Sequence, residues 1–231
     1  MKKNILIIGY GNIASRLHAI LCKDSYKIYG MSRTRKRGLE NHIEWNWLYK
    51  DLPNLECNHF ESIIFIPKPS SRSLTGYQEG FLKSSENTFN FIEASKKIVY
   101  KKFITISSTG AYGRTTSQES YLDESSNIVP MFKEEDPYPG HDITDCQQVI
   151  RHYEQNQTKR YGNKLILLRF SGLYVIEPIS KNHLHRQNAA KIIKFFIEND
   201  FDFSYPEIFN CTEDASLFYD GIKSSYGNIS N

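Results

Sequence analysis

Residues Gly9-Tyr10-Gly11-Asn12-Ile13-Ala14 have the types and spacing of a phosphate cradle. Gly9 permits a tight turn, Gly11 lets the main chain approach a pyrophosphate with no side chain between, and Ala14 is small enough to pack helix on strand. At the start of a helix, the amides of Asn12 and Ile13 add donors, and the helix dipole favours an anion. The pattern gains meaning from its surroundings, since in "ILIIGYGNIASRL" (residues 5 to 17) it follows an apolar run and opens a helical one. A glycine turn in a fold that has lost its ligand is the competing reading.

A second chemical group lies about twenty residues on, where NAD-specific sites carry an acid that accepts from the ribose hydroxyls. That place reads Gly30-Met31-Ser32-Arg33-Thr34-Arg35, followed by Lys36 and Arg37, with no acid. A carboxylate repels a 2'-phosphate, whereas a guanidinium fork binds one bidentately. NADP(H) is therefore favoured over NAD(H), which stays open, and Ser32 and Arg33 are the expected contacts. A solvated basic turn is the plainer alternative.

Residues 4 to 8, "NILII", have the composition of a strand buried on both faces. From Asn12 the apolar Ile13, Leu17, Ile20 and Leu21 recur at helical spacing. Further strands are predicted at "YKIYGM" (26 to 31), "ESIIFIP" (61 to 67), "KKFITISS" (101 to 108) and "KLILLRF" (164 to 170). Helices are predicted over 77 to 95, on Phe81, Leu82, Phe89, Phe91 and Ile92, and over 144 to 157. Such alternation implies an α/β, doubly wound parallel sheet with helices on both faces. Residues 114 to 142, polar, acidic and broken by prolines, read as a long surface excursion.

At 231 residues with a 39% apolar share, one domain with a sizeable core is expected. The net charge of +3 has one local excess, at residues 32 to 38, too narrow for a nucleic-acid footprint. Nor does a basic stripe accompany the abundant Tyr and Phe. Cys22, Cys57, Cys146 and Cys211 form no C-x-x-C pair and read as reduced thiols of a cytoplasmic protein. The apolar run behind Lys2 and Lys3 is too short for a signal segment. No stretch reaches the roughly 18 apolar residues of a membrane span, so a soluble chain without a membrane partner is expected. His183, His185 and Arg186 have no acid at a ligand-like spacing, so they read as surface residues and no metal is expected.

Six segments resemble, in order, landmarks of one family. Besides the glycine turn, "TFNFIEAS" (88 to 95) is similar to T-x-N-L-L-E-A-A, and "ITISSTGAYG" (104 to 113) to a strand ending in S-S-x-x-x-Y-G. "ILLRFSGLY" (166 to 174) is similar to L-R-x-x-G-I-Y, "LHRQNAAKII" (184 to 193) to I-H-V-D-D-L-A-x-A-I, and "FNCTED" (209 to 214) to Y-N-V-x-D-D. The chain thus resembles the extended and atypical short-chain dehydrogenase/reductases, the NAD-dependent epimerase/dehydratase family, from residue 4 to about 214. The resemblance implies a Rossmann-like sheet with a small C-terminal substrate-covering portion, built here from about 114–142 and 171–231. It also implies Asp51 and Leu52 beside the adenine, Ile66 and Pro67 beside the cofactor's ribose, and Ser108 as the residue that polarises a substrate carbonyl.

The family's Tyr-x-x-x-Lys dyad is missing. With Glu154 aligned to the glutamate of that helix, the two positions hold Cys146 and Ile150. A free phenol titrates near ~10, too high for efficient proton transfer at neutral pH without the lysine. The one Tyr-x-x-x-Lys match, Tyr219 to Lys223, falls in the C-terminal tail and reads as coincidence. Two functions follow: an NAD(P)-dependent oxidoreductase or sugar-nucleotide epimerase/dehydratase-like enzyme, or a non-catalytic NADP(H)-binding sensor or scaffold. A degenerate fold that serves only in assembly ranks third. The small-molecule substrate is not legible, and a homodimer stays open.

Overall fold

In the computed structural model, the described residues are 2–49, 52–94, 98–112, 144–176, 183–202 and 204–212. Asp51, the excursion at 114–142 and the tail carrying Tyr219 and Lys223 lie outside them.

Strand β1 (Lys3–Ile8) forms because Ile5, Leu6, Ile7 and Ile8 bury completely, alternating between the two faces of a sheet. Helix α1 (Asn12–Ile20) follows, then β2 (Tyr26–Ser32), β3 (Asn41–Glu44) and β4 (His59–Phe65). A helical stretch runs through α2 (Leu74–Tyr77), a π-helical turn (Gln78–Lys83) and α3 (Ser84–Ala94). Next come β5 (Val99–Ser108), a 3-10 turn (Thr109–Tyr112), α4 (Asp145–Tyr161) and β6 (Leu165–Phe170). The short β7 (Gly172–Tyr174) and β8 (His183–His185) pair with each other, and α5 (Arg186–Glu198) leads to β9 (Glu207–Cys211).

The main sheet has seven strands in the order β3-β2-β1-β4-β5-β6-β9, all parallel. This is the Rossmann-like doubly wound arrangement expected from the alternation. Ile5 and Ile7 pack with α1 and α5 on one face, whereas Leu6 and Ile8 pack with α3 and α4 on the other. The chain moves outward from β1 through β2 to β3, then returns to β4 on β1's other side. The crevice between β1 and β4, at the carboxyl ends of the strands, is therefore the topological switch point where such sheets bind ligands.

The stretch from 171 onward, expected to cover substrate, supplies α5 and β9 to the central sheet. Among the described residues only β7 and β8 stand apart from it. The reason is burial: Ala189, Ala190, Ile193, Phe196 and Ile197 give α5 an apolar stripe that must lie on the sheet. Lys102, buried in β5, secures the helix end, donating to the carbonyls of Phe196 (3.2 Å), Ile197 (3.3 Å) and Asn199 (2.6 Å). A cation there complements the negative end of the helix dipole.

Candidate dinucleotide site

Gly9 ends β1 with φ +94°, and a Cβ there would lie 2.3 Å from the carbonyl oxygen of Ile66. Glycine is thus demanded twice at this position, by the left-handed backbone and by the closeness of β4's end. The turn is held by the amides of Gly9 and Tyr10, which donate to Met31 O at 3.1 and 2.8 Å, and by Gly11 N, which donates to Gly9 O at 2.8 Å.

Gly11 differs. It is the N-cap of α1 in extended backbone (φ −113°, ψ −152°), and a Cβ on it would find only Gly9 O, at 3.9 Å. The protein's own packing therefore does not require a glycine at position 11. The first intrahelical bond runs from Ser15 N to Gly11 O, so the amides of Asn12, Ile13 and Ala14 precede any intrahelical acceptor. No acid occupies the first turn to neutralise them. Ala14 is fully buried against the sheet cluster. This is a cradle with room above Gly11, and its chemistry fits a pyrophosphate.

Ile66 N donates to Ile8 O at 2.9 Å, which carries the sheet ladder one residue past β4 and sets Ile66 and the buried Pro67 beside the turn. At the end of β2 the two expected contacts part company. Arg33 is exposed, whereas Ser32 is only 5% exposed. The Ser32 hydroxyl donates to Thr34 O at 2.8 Å and shares a 2.8 Å hydrogen bond with His42 Nε2. The Ser32 hydroxyl thus has protein partners inside the β2–β3 corner, Thr34 in its own chain segment and His42 on the neighbouring strand. Leu52 is exposed.

Ser108 ends β5, on the far side of β4 from the turn, and its Oγ accepts from Gly110 N at 3.1 Å. That bond uses a lone pair and leaves the hydroxyl hydrogen available to donate. A Cβ on Gly110 would stand 3.5 Å from Ile150 Cδ1, so buried Ile150 of α4 closes against this turn with a hydrocarbon. Cys146 lies one helical turn earlier, partly exposed.

Next to Ser108, at Ser107, sits a buried ionic cluster. Arg169 of β6 donates to Glu154 of α4 at 2.8 and 3.1 Å, and both residues are nearly sealed from solvent. Ser107 Oγ donates to Glu154, Arg169 Nη1 donates to the Tyr112 hydroxyl, and that hydroxyl donates to Asn210 Oδ1 of β9 at 2.9 Å. Three strands, α4 and the turn after Ser108 are tied at one point. His185 also has a role that spacing could not reveal. Its Nδ1 accepts from Gln187 N at 3.2 Å as the N-cap of α5, so Nε2 carries the hydrogen and donates to Val175 O at 2.9 Å.

Among the described residues, no group of three or more His, Cys, Asp or Glu is placed to hold a metal ion. No helix among them is long and apolar enough to cross a membrane.

The sequence matches no protein-family model and no curated protein. Solved structures share its fold. A UDP-glucuronic acid 4-epimerase variant from Bacillus cereus, solved with a fluorinated UDP-sugar and NAD, is 16% identical. It matches with a TM-score of 0.62 over 90% of this chain and 77% of its own. A UDP-N-acetylglucosamine 4-epimerase from Methanobrevibacter ruminantium, solved with UDP-N-acetylmuramic acid, is 14% identical, with a TM-score of 0.62 over 99% of this chain and 84% of its own. The oxidoreductase ylbE from Lactococcus lactis is 13% identical, with a TM-score of 0.64 over 99% of both chains. At such identities the likeness establishes the fold.

Proposed function

We propose that this chain is an NADP(H)-binding member of the short-chain dehydrogenase/reductases, of the NAD-dependent epimerase/dehydratase type, and holds the dinucleotide across its glycine turn. The observation that carries this reading is the contrast between the two glycines. Gly9 is explained by the fold alone, whereas Gly11 faces open space, where packing demands no glycine and a pyrophosphate can approach the main chain. The amides of Asn12 and Ile13 bind the pyrophosphate, Ile66 and Pro67 border the ribose, and Arg33 takes the 2'-phosphate. Asp51 and Leu52 belong to the adenine end.

When bound, the dinucleotide supplies a hydride donor or acceptor. In the enzymatic reading, Ser108 donates its hydroxyl hydrogen to a carbonyl oxygen. Turnover of a carbonyl or nucleotide-sugar panel with NADPH is then expected to fall about a hundredfold in Ser108→Ala, as for loss of one oxyanion donor. Equal turnover in the variant removes Ser108 from the chemistry. A second reading, binding without turnover, is favoured by Ile150, because a buried hydrocarbon beside the Ser108 turn offers no cation to depress a phenol. It predicts stabilisation of about 2.7 kcal/mol at a hundredfold excess over Kd, with no product from any panel member.

Arg33→Glu is expected to lower NADPH affinity by about tenfold to a hundredfold, since a charge-assisted bond worth roughly 1.5–3 kcal/mol is replaced by repulsion. NADH affinity should hold or rise. Calorimetric titration with both dinucleotides checks this, and an unchanged NADPH-to-NADH ratio removes Arg33 from the site.

A further inference from the structure

We propose that Trp47 is a specificity-determining residue of the dinucleotide site. It backs the Arg33 guanidinium so that one flat cationic group offers its open face to a purine base and its edge to a phosphate on the adjoining ribose. The inference rests on the NADP(H) reading above and assigns a residue that neither the glycine turn nor the family motifs include.

The β2–β3 ladder continues one step beyond β3, with Trp45 N donating to Ser32 O at 3.0 Å. The chain at 45–47 is therefore laid beside the end of β2, where Arg33 leaves the sheet. Trp45 is buried against Phe91 of α3, with ring centres 5.2 Å apart, and it meets Trp47 edge-on at 6.4 Å. The Trp47 carbonyl accepts from Asn87 Nδ2 of α3 at 2.7 Å. The half-buried indole is thus anchored to the helical layer through its backbone and through its neighbouring ring.

The Arg33 guanidinium lies 6.0 Å from the centre of the Trp47 ring. No carboxylate pairs with it among the described residues. At that distance the cation is within reach of the ring's quadrupole, which narrows the rotamers of an exposed arginine before any ligand arrives. Arg33 is exposed, and a guanidinium plane stacks on aromatic rings. Its edge carries donors in a fork that matches a phosphate. The ligand class this selects is a purine nucleotide phosphorylated on the ribose next to the base.

NADPH, NADH and 2',5'-ADP are titrated into the wild-type chain, Trp47→Leu and Trp47→Phe, with melting temperatures recorded alongside. Trp47→Leu should lose about tenfold in NADPH affinity and about threefold or less in NADH affinity, while Trp47→Phe, which keeps an aromatic face, should stay within about twofold of wild type in the ratio. A folded Trp47→Leu chain that binds NADPH with an unchanged ratio overturns the inference and leaves dinucleotide binding standing. A wild-type chain that binds no NADPH removes both. Should Trp47→Leu not fold, the wild-type titration with 2',5'-ADP decides: tryptophan emission should change on binding, and binding without any change overturns the assignment.

Discussion

Gly11→Val should abolish dinucleotide binding, by about a hundredfold or more in Kd, while leaving the chain folded. The backbone at Gly11 is extended, open to any residue, and its nearest neighbour to an added Cβ is 3.9 Å away. The cost to the fold is that of a poorer helix N-cap, about 1 kcal/mol, or a few degrees in melting temperature for a chain of this size. The cost to binding is steric, because the branched side chain occupies the path of the pyrophosphate. Gly9→Ala provides the contrast. At φ +94° and 2.3 Å from Ile66 O, even a methyl group forces the β1 turn and β4 apart, so stability should fall by several kcal/mol and binding with it. Calorimetry and thermal melts on both variants separate the two roles. A Gly11→Val chain that binds NADPH normally would show that no dinucleotide crosses the turn.

The second large effect is on stability. Glu154→Gln takes from buried Arg169 the carboxylate that it meets at 2.8 Å, and removing one partner of a buried pair costs about 3–5 kcal/mol. The loss reaches further here, because Ser107, Tyr112 and Asn210 hang on the same cluster. A fall of roughly 10 °C in melting temperature is expected. Joining Glu154→Leu with Arg169→Met should recover much of it, since two apolar residues of similar size need no counter-charge. Denaturant unfolding of the single and double variants measures both numbers. A Glu154→Gln chain within about 1 kcal/mol of wild type would mean that the cluster does not hold the Ser108 turn in place.

Much of the sheet is legible because its strands carry short apolar runs, Ile5–Ile8 in β1, Ile63–Phe65 in β4 and Leu165–Leu168 in β6. β1, β4 and β6 are covered on both faces, and no helix pattern of that length competes with them. β3 carries no apolar signature, because Asn41–Glu44 is an edge strand, half-buried or exposed throughout, with one apolar residue in four. β7 and β8, three residues each, are too short for periodicity to register. The helix expected over 77 to 95 begins earlier, at Leu74, because Ser73 caps it, its side chain accepting from Gly76 N. In the site, residue types were readable but directions were not. Ser32 and Arg33 are adjacent in sequence, and in the structure one is buried against His42 and Thr34 while the other is exposed. The pairing of Trp47 with Arg33 depends on β3, the strand that the pattern did not reveal.

The binding of a diphosphate by the first amides of α1 is read most directly from amide NMR shifts during titration with NADPH. The largest changes should fall on Asn12 and Ile13, with smaller ones at Gly11 and Ile66. NADPH binding that leaves the Asn12 and Ile13 amides where they were would contradict it.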